Sequence, residues 1–307
     1  MRGRSFVSIL DYTPDEIQTI LRVALQLKDE RRSGKSHRVL AGKTLGMIFQ
    51  KNSTRTRVSF EVGMSQLGGH ALFLSGNDLQ LNRGETIADT ARVLGRFLDG
   101  IMARTHAHSD IEDLSRYSGI PVINGLSDLL HPCQAIADLL TIQEHKGRLA
   151  GLKLAYLGDS NNVTYSLMHA AAKVGLSMSV GSPAGYQPDP EMLSRAQEVG
   201  RKTGCTITVT ADPREAVQGA DVVYTDTWTS MGQEEEHEKR LAALSAYQVN
   251  AELLGHAKEE VIFLHCLPAH RGEEVTDEVM DGPHSVVFDE AENRLHAQKA
   301  ILALLMS

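Results

Sequence analysis

The sequence lacks the features that mark membrane and secreted proteins. No apolar run approaches the roughly 20 residues that a membrane span requires. The cysteines, Cys133, Cys205 and Cys266, are too few and too scattered for a disulfide framework, and none forms a Cys-x-x-Cys pair. Free thiols in a reducing compartment are therefore expected. The apolar segment 6–10 is too short for a signal peptide, so the sequence predicts a cytoplasmic protein.

An excess of positive charge and a glycine-rich nucleotide loop are also missing. The net charge of −8 argues against a nucleic-acid partner, which would require clustered Lys and Arg. A small anionic substrate stays compatible with this charge, because a few arginines in a cleft can focus positive potential. The strand expected at 152–157 ends at Gly158 without a Gly-x-Gly-x-x-Gly motif, which disfavours a dinucleotide cofactor.

What is present is an alternation of apolar strand-like runs with helix patterns over 307 residues, a length that favours two domains. Strands are expected at 45–49, 70–74, 101–103, 121–124, 152–157, 177–180, 206–209, 222–225, 261–264 and 286–288. We therefore predict an α/β protein with two doubly wound domains, each a parallel sheet flanked by helices, joined by interdomain helices. The first domain is expected at 1–134 and the second at 135–290, with the C-terminal helix 291–307 packing back on the first.

The richest local signal is the segment Ser53-Thr54-Arg55-Thr56-Arg57, at a junction between a strand and a helix. A helix start presents free N–H groups and a positive dipole end, and hydroxyl and guanidinium donors there suit phosphate oxygens. The alternative is an N-capped surface helix with two solvated arginines. Because a Gly-Lys-Ser/Thr pair is missing, the expected ligand is a small anion rather than a nucleotide.

Five segments, taken in order, resemble the signature segments of ornithine carbamoyltransferases over nearly the whole chain. They are Ser-Thr-Arg-Thr-Arg at 53–57, His-Pro-Cys-Gln at 131–134, Asp-Thr-Trp-Thr-Ser-Met-Gly at 226–232, His-Cys-Leu-Pro at 265–268 and Glu-Asn-Arg at 292–294. The resemblance implies transfer of the carbamoyl group from carbamoyl phosphate to the side-chain amine of L-ornithine, giving L-citrulline and phosphate. It also implies arginine biosynthesis, a homotrimer or a multiple of trimers, closure of the domains on substrate, and no metal or organic cofactor.

The resemblance assigns most of the chemical residues to carbamoyl phosphate. Those expected to bind it are Ser53, Thr54, Arg55, Thr56, Arg57, Gln80, Arg104, His131, Pro132, Cys133, Gln134, Cys266, Leu267 and Arg294. Thr56, Arg104 and His131 would stabilise the oxyanion that forms on the carbonyl, and Arg57 would help to hold the loop. Gln80 would reach into a neighbouring subunit. Taken alone, Arg104 reads as a surface arginine, His131 as a helix-start residue and Gln80 as a solvated loop residue.

For the amino-acid substrate, the resemblance implies binding by Asn162, Asp226, Ser230 and Met231. Asp226 suits the α-ammonium of ornithine and Asn162 its carboxylate, although Asn162 alone reads as a helix cap and Asp226 as a loop acid. The expected catalytic residues are Arg104, His131, Cys266 and Asp226. Cys266 is either a proton acceptor or a group that orients the amine together with Asp226. His265, Cys266 and His270 have the wrong spacing for a structural zinc site.

Two alternatives stay open at the level of the sequence. One is a carbamoyltransferase for another amine, such as putrescine, acetylornithine or aspartate. The other is a catalytically silent binding protein on the same scaffold, against which the intact Arg55, His131, Gln134, Asp226 and Cys266 argue.

Overall fold

The computed structural model of the chain describes residues 1–76, 79, 84–229 and 234–307. The chain forms two compact units. Unit 1 comprises Met1–Leu140 together with Glu292–Ser307, and unit 2 comprises Thr141–Ala291. The expected boundaries were 134/135 and 290/291. Both observed boundaries fall inside helices, so the chain passes between the units as helix, as the predicted interdomain helices require.

Unit 1 is built on a parallel sheet with the strand order β2-β1-β3-β4. Among the described residues its strands are β1 (Thr44–Phe49), β2 (His70–Ser75), β3 (Gly100–Arg104) and β4 (Val122–Leu126). The helices that lie wholly or partly in it are α1 (Pro14–Arg32), α2 (Thr54–Gln66), α3 (Ile87–Phe97), α4 (His108–Tyr117), α5 (Pro132–Lys146) and α12 (Val287–Met306). Because the strand order reverses at β1 and β3, the carboxyl ends of these two strands form the usual place for a ligand.

Local sequence explains where the first helix begins. Thr13 accepts a hydrogen bond from the N–H of Glu16, and the Glu16 carboxylate accepts one from the N–H of Thr13, which is a complete capping box. Pro14 occupies the first helical turn, where its missing N–H costs nothing. The apolar side of the helix, including Ile17, Ile20 and Leu21, is fully buried.

Unit 2 contains a five-stranded parallel sheet with the order β7-β6-β5-β8-β9. Its described strands are β5 (Lys153–Leu157), β6 (Ser177–Gly181), β7 (Ile207–Thr210), β8 (Val222–Thr225) and β9 (Ile262–His265). Its described helices are α6 (Asn162–Val174), α7 (Pro190–Thr203), α8 (Pro213–Val217), α9 (His237–Leu244), α10 (Ala251–Leu254) and α11 (Asp277–Met280). The strand order again reverses, here between β5 and β8. The prediction of two doubly wound parallel sheets is confirmed.

One expected strand, at 286–288, is wrong. The segment touches β9 only briefly, where the N–H of Phe263 bonds the carbonyl of His284 and the N–H of Val286 bonds the carbonyl of Phe263, both within 3.0 Å. The chain then enters α12 at Val287. Two adjacent valines resemble a strand, but Asp289 and Glu290 in the first turn favour a helix start through its dipole. Within the described residues no helix has the length and apolarity to cross a membrane.

Candidate active site

The start of α2 in unit 1 has the arrangement expected for an anion site. β1 ends at Phe49, and Ser53 caps α2 from an extended conformation, accepting a hydrogen bond of 3.3 Å from the N–H of Thr56. The Ser53 hydroxyl also donates to the Thr56 hydroxyl at 3.1 Å. The first turn of the helix therefore presents N–H groups and hydroxyls near the carboxyl end of β1, an arrangement that suits a small anion.

The two arginines of this segment have different surroundings. The Nε of Arg57 donates to Glu61 Oε1 at 2.9 Å, and its guanidinium carbon lies 3.8 Å from the centre of the Phe73 ring on β2. Arg57 thus fastens α2 to the neighbouring strand. Arg55 lies near His131, because its charge contributes to the electrostatic environment of that imidazole.

Arg104 and His131 occupy the adjacent strand ends. Arg104 is the last residue of β3, is paired in register with Phe49 and is buried. Burial, followed by the charges of Arg294, Arg104 and Arg55, holds the pKa of His131 well below its usual value. His131 is therefore neutral at physiological pH, and three arginines surround it. Such a cluster attracts a dianion and can stabilise an oxyanion without proton transfer.

A chain of buried hydrogen bonds connects α12 to α2 and α5 inside unit 1. Arg294 donates from Nη1 to Gln134 Oε1 at 2.7 Å and from Nη2 to Thr56 Oγ1 at 3.2 Å. The amide nitrogen of Gln134 donates in turn to Asp138 Oδ1 at 2.8 Å. The orientation of the Gln134 amide is thereby defined. Asp138 was not among the expected residues, although its spacing of four from Gln134 on a helix was visible in the sequence.

Cys133 has a structural environment. Its thiol donates to the carbonyl of Asn124 at 3.4 Å, and burial raises the pKa of the thiol to about 12. Its side chain packs inside unit 1, so any role of Pro132 and Cys133 in binding a ligand would involve the backbone at the start of α5.

In unit 2, polar groups from the carboxyl ends of three strands meet at Asp226, which follows β8 and is 6% exposed. Cys266, which follows β9, donates its thiol to Asp226 Oδ1 at 3.0 Å. Asn161, which follows β5, donates from Nδ2 to Asp226 Oδ2 at 2.7 Å. Both carboxylate oxygens of Asp226 therefore have a donor, and the carboxylate is held in a defined orientation.

The asparagine bonded to Asp226 is Asn161. Asn161 is also the N-cap of α6 and accepts from the N–H groups of Val163 and Thr164, while Asn162 is the first helical residue. The reading of Asn162 as a helix cap is therefore wrong by one residue, and Asn161 was not among the expected site residues. Gly158, just before this turn, has φ 122°, and a Cβ there would lie 3.0 Å from Trp228 Nε1, so glycine is needed for this close contact.

Arg240 on α9 fixes the segment that follows Asp226, and it was missed from the sequence. Its Nε donates to the carbonyl of Trp228 at 2.7 Å, and its guanidinium forms an ion pair with Asp159, which follows β5. Burial raises the pKa of Asp159, and the charge of Arg240 opposes that shift. Arg240 was hard to recognise in the sequence, because it follows the acidic run from Glu234 to Glu238, which reads as solvated surface.

The expected site residues divide between the two units. Ser53, Thr54, Arg55, Thr56, Arg57, Arg104, His131, Pro132, Cys133, Gln134 and Arg294 belong to unit 1, and Asn162, Asp226, Cys266 and Leu267 belong to unit 2. Gln80, Ser230 and Met231 lie outside the described residues. Asp226, His265 and Cys266 are close enough together to suggest a metal site. However, His265 Nδ1 accepts from the N–H of Leu267 and its Nε2 bonds Glu274, which leaves the imidazole no lone pair for a metal.

Both halves of the chain match sequence models of one family. Residues 4–144 match the carbamoyl-P binding domain, and residues 150–305 the Asp/Orn binding domain, of aspartate/ornithine carbamoyltransferases. An ornithine carbamoyltransferase from Carboxydothermus hydrogenoformans is 61% identical over 305 residues, covering 99% of this chain and 98% of that protein. A relative from Pyrococcus furiosus, named an anabolic ornithine carbamoyltransferase, is 57% identical over 306 residues, covering 100% of this chain and 97% of that protein.

Solved structures give the same result. The chain resembles the ornithine carbamoyltransferase from Pyrococcus furiosus with a TM-score of 0.97 at 57% identity, over 99% of this chain and 97% of the other. It resembles the ornithine transcarbamoylase from Giardia lamblia with a TM-score of 0.90 at 36% identity, over 99% of this chain and 98% of the other.

Proposed function

Because the chain belongs to the aspartate/ornithine carbamoyltransferase family, we propose that it transfers the carbamoyl group of carbamoyl phosphate to the side-chain amine of L-ornithine. The products are L-citrulline and phosphate. The observation that carries the proposal is the pair of buried hydrogen bonds from Arg294 to Thr56 and to Gln134. These bonds connect the start of α2 with the side-chain amide of Gln134, whose orientation is defined. This arrangement suits a ligand with a phosphate at one end and a carbamoyl group at the other.

The phosphate end of the donor is assigned to the start of α2. Ser53, Thr54, Arg55 and Thr56 would bind the phosphate oxygens through backbone N–H groups, hydroxyls and the Arg55 guanidinium. The dipole of α2 adds to this binding, because its positive end faces the same point. Arg57, which stacks on Phe73, would keep the helix in place rather than contact the ligand.

The carbonyl oxygen of the donor is assigned to Thr56, Arg104 and His131. Attack by an amine turns this oxygen into an oxyanion, and donors already in position stabilise it at no cost in reorganisation. A neutral His131 can donate one N–H, which fits the lowered pKa of its imidazole. The surrounding arginines supply the positive charge.

The carbamoyl nitrogen is assigned to Gln134 and to the backbone carbonyls of Cys266 and Leu267. Gln134 Oε1 already accepts from Arg294, and a carbonyl oxygen has a second lone pair for the carbamoyl N–H. Since the Gln134 amide nitrogen is bonded to Asp138, the carbonyl oxygen keeps its direction. Pro132 and Cys133 would contribute only through the backbone.

The acceptor amine is assigned to unit 2. Asp226 would accept from the α-ammonium of ornithine, and Asn162 would donate to its carboxylate, together with Ser230 and Met231. The side-chain ammonium must lose one proton before its lone pair can attack the carbonyl carbon. As the new C–N bond forms and the C–O bond to phosphate breaks, the nitrogen loses a second proton. Cys266 would orient this nitrogen as a thiol bonded to Asp226, or accept its proton after passing the thiol proton to the Asp226 carboxylate.

Self-association as a homotrimer is part of the proposal, and exposed apolar side chains in unit 1 support it. Val58 and Val62 on α2, Leu72 on β2, and Val93 and Phe97 on α3 are exposed, Phe97 by 75%. α2 and β2 pack against each other, and clustered exposed apolar side chains such as theirs mark an interaction surface, while Phe97 on α3 is the most exposed of the set. We expect Phe97→Asp to convert the assembly to smaller species in analytical ultracentrifugation, while Phe288→Asp in unit 2 serves as the control.

The proposed setting is arginine biosynthesis in the cytoplasm, in the direction that the name of the Pyrococcus furiosus relative states. The partners are the two small substrates, with no nucleic acid or membrane.

The deciding experiment measures product formation from carbamoyl phosphate with ornithine, putrescine, acetylornithine and aspartate in separate reactions. We expect citrulline from ornithine at a kcat/KM at least about 100-fold above that for the other amines, because ornithine alone of the four offers Asp226 an α-ammonium while a separate side-chain amine attacks. Faster turnover of putrescine would overturn the acceptor assignment. Loss of turnover with every amine, together with intact phosphate binding, would indicate a silent binding protein.

A further inference from the structure

The residue before Cys266 has a buried network of its own. His265 is the last residue of β9, and its ring lies between the backbone of Leu267 and the carboxylate of Glu274. Nδ1 accepts from the N–H of Leu267 at 2.9 Å, and Nε2 lies 3.1 Å from Glu274 Oε1. Since Nδ1 is an acceptor, the proton is on Nε2 and is donated to Glu274. Both side chains are fully excluded from solvent.

Glu274 extends this network across the loop after β9. The carboxylate oxygen that bonds His265 also accepts from the N–H of His270 at 2.5 Å. The ring of His270 then reaches the Thr227 hydroxyl at 3.1 Å, one residue after Asp226. His265 and Glu274 together therefore hold both ends of the 266–270 loop, on which Cys266 and Leu267 lie.

The backbone at His265 is held from its other side by a second buried carboxylate. Glu290 Oε2 accepts from the N–H of His265 at 2.8 Å, and Glu290 Oε1 accepts from the Tyr224 hydroxyl at 3.2 Å. The position of the residue before Cys266 is thus defined by contacts from both directions.

The loop needs this support because Leu267 has an unfavourable backbone conformation. Its φ of 57° is in the left-handed region, the single such value for a non-glycine residue among those described. A side chain in this region is unfavourable and persists only where the surroundings enforce it. The hydrogen bond from the Leu267 N–H to His265 is a direct restraint of that kind. Without it the Leu267 N–H would lose this acceptor.

We propose that His265, held by Glu274, is a positioning residue for the transfer reaction. It fixes the backbone of Cys266 and Leu267, so that the Cys266 thiol stays bonded to Asp226 and the two backbone carbonyls keep their direction. His265 is not a catalytic residue, because both of its ring nitrogens are occupied by protein groups. The proposal rests on the proposed function for its effect on turnover, whereas the geometry around Cys266 can be measured separately.

Two substitutions of His265 separate its two hydrogen bonds. His265→Asn places an amide oxygen near the position of Nδ1 and keeps an acceptor for Leu267, but it loses the bond to Glu274. His265→Gln places an amide nitrogen near the position of Nε2 and keeps a donor to Glu274, but it loses the acceptor for Leu267. Each variant loses one buried hydrogen bond, so a purely structural role predicts similar losses of stability and activity for both.

Positioning predicts a different result for the two variants. We expect kcat to fall by about tenfold or more in His265→Gln and by less than about threefold in His265→Asn, because only the former releases Leu267. The control is Tyr247→Phe, which removes a partly buried hydrogen bond of 2.6 Å to the carbonyl of Ala211 within the same unit. It should lower the melting temperature and leave kcat unchanged.

The second readout is the rate at which iodoacetamide alkylates Cys266, measured well below the melting temperature. Cys266 is partly exposed while Cys133 and Cys205 are buried, so the reagent reports on this thiol. We expect His265→Gln to change the rate at least about threefold, and His265→Asn and Tyr247→Phe to match the wild type. If neither His265 variant is soluble, Glu274→Gln, which keeps an acceptor for the His265 ring, and Glu274→Leu, which removes it, test whether this side chain holds the ring. We expect only Glu274→Leu to change the alkylation rate at least about threefold, because the released ring can turn away from Leu267, and equal rates in the two variants would overturn the proposal.

The outcomes keep this proposal separate from the proposed function. Equal losses of kcat in the Asn and Gln variants, with the alkylation rate unchanged in both, would show that His265 has only a structural role. The proposed transfer activity would not be affected by that result. If the wild-type protein makes no citrulline, the proposed function is wrong. The alkylation rates would still decide whether His265 positions Cys266.

Discussion

Replacing Arg294 by lysine tests the link between α12 and the carbamoyl phosphate site. The guanidinium donates to both Gln134 and Thr56 and is 4% exposed, so water cannot replace a lost donor. A lysine ammonium keeps the charge but cannot span both acceptors in the same geometry. A hydrogen bond from a charged group contributes about 1.5–3 kcal/mol. The loss of one such bond converts to a decrease of about 10- to 150-fold in kcat/KM for carbamoyl phosphate.

The assay is the initial rate of citrulline formation at varied carbamoyl phosphate, with the melting temperature measured in parallel. Arg116→Lys is the matched control, because the Arg116 side chain is 67% exposed on α4 and should change the free energy of unfolding by less than about 0.5 kcal/mol. Combining Arg294→Lys with Thr56→Val should cost less than the sum of the two changes, since they share one hydrogen bond. A kcat/KM within twofold of wild type in Arg294→Lys would refute the reasoning.

Four other predictions concern single residues. Arg55→Ala should lower turnover by at least about two orders of magnitude with an unchanged melting temperature, because it removes a phosphate ligand from a helix start; turnover near that of wild type would exclude the phosphate site. Cys266→Ser should lower turnover and move the alkaline limb of the pH–rate profile, because serine can bond Asp226 but does not ionise in that range; an unchanged profile would leave the thiol only a structural role. Asn161→Asp keeps the cap of α6 but sets a second carboxylate against Asp226. It should raise the KM for ornithine about tenfold or more, whereas Asp189→Asn at the cap of α7 should not. Burial lowers the pKa of His169 to about 4 from its ordinary 6.5, so the stability that the neutral imidazole confers is complete above pH 6.5 and is lost as the pH falls toward 4. In denaturant titrations His169→Met should remove up to about 1.4 kcal/mol per pH unit of that slope, and His70→Gln should leave it unchanged.

Sequence patterns predicted the parts of the site that depend on local structure. The capped start of α2 at Ser53 and the strand ends before Arg104, Asp226 and Cys266 follow from apolar runs and hydroxyl residues within a few positions of each other. Parallel strands bring their carboxyl ends to one edge, so topology alone groups these residues within each sheet.

The long-range partners were not predictable in the same way. Glu274 and Glu290 stand in acidic stretches that read as solvated, yet both are buried and hold the backbone around Cys266. Their role depends on which donors the fold brings to them from other elements, and periodicity carries no signal for that. The cap of α6 lies at Asn161 rather than at Asn162, because the polar run before the helix does not define which of its residues is the first helical one.

The division of unit 1 into two stretches of chain has a consequence for how the protein is made. Residues 292–307 complete unit 1 and carry Arg294, but a ribosome produces them only after all of unit 2. Unit 2 is continuous, so it can finish folding while the first 140 residues still lack their last helix. Domains usually complete in N-terminal order during synthesis, but here unit 1 cannot be completed before unit 2 has been made. Until α12 is made, the start of α2 lacks the hydrogen bond from Arg294 to Thr56.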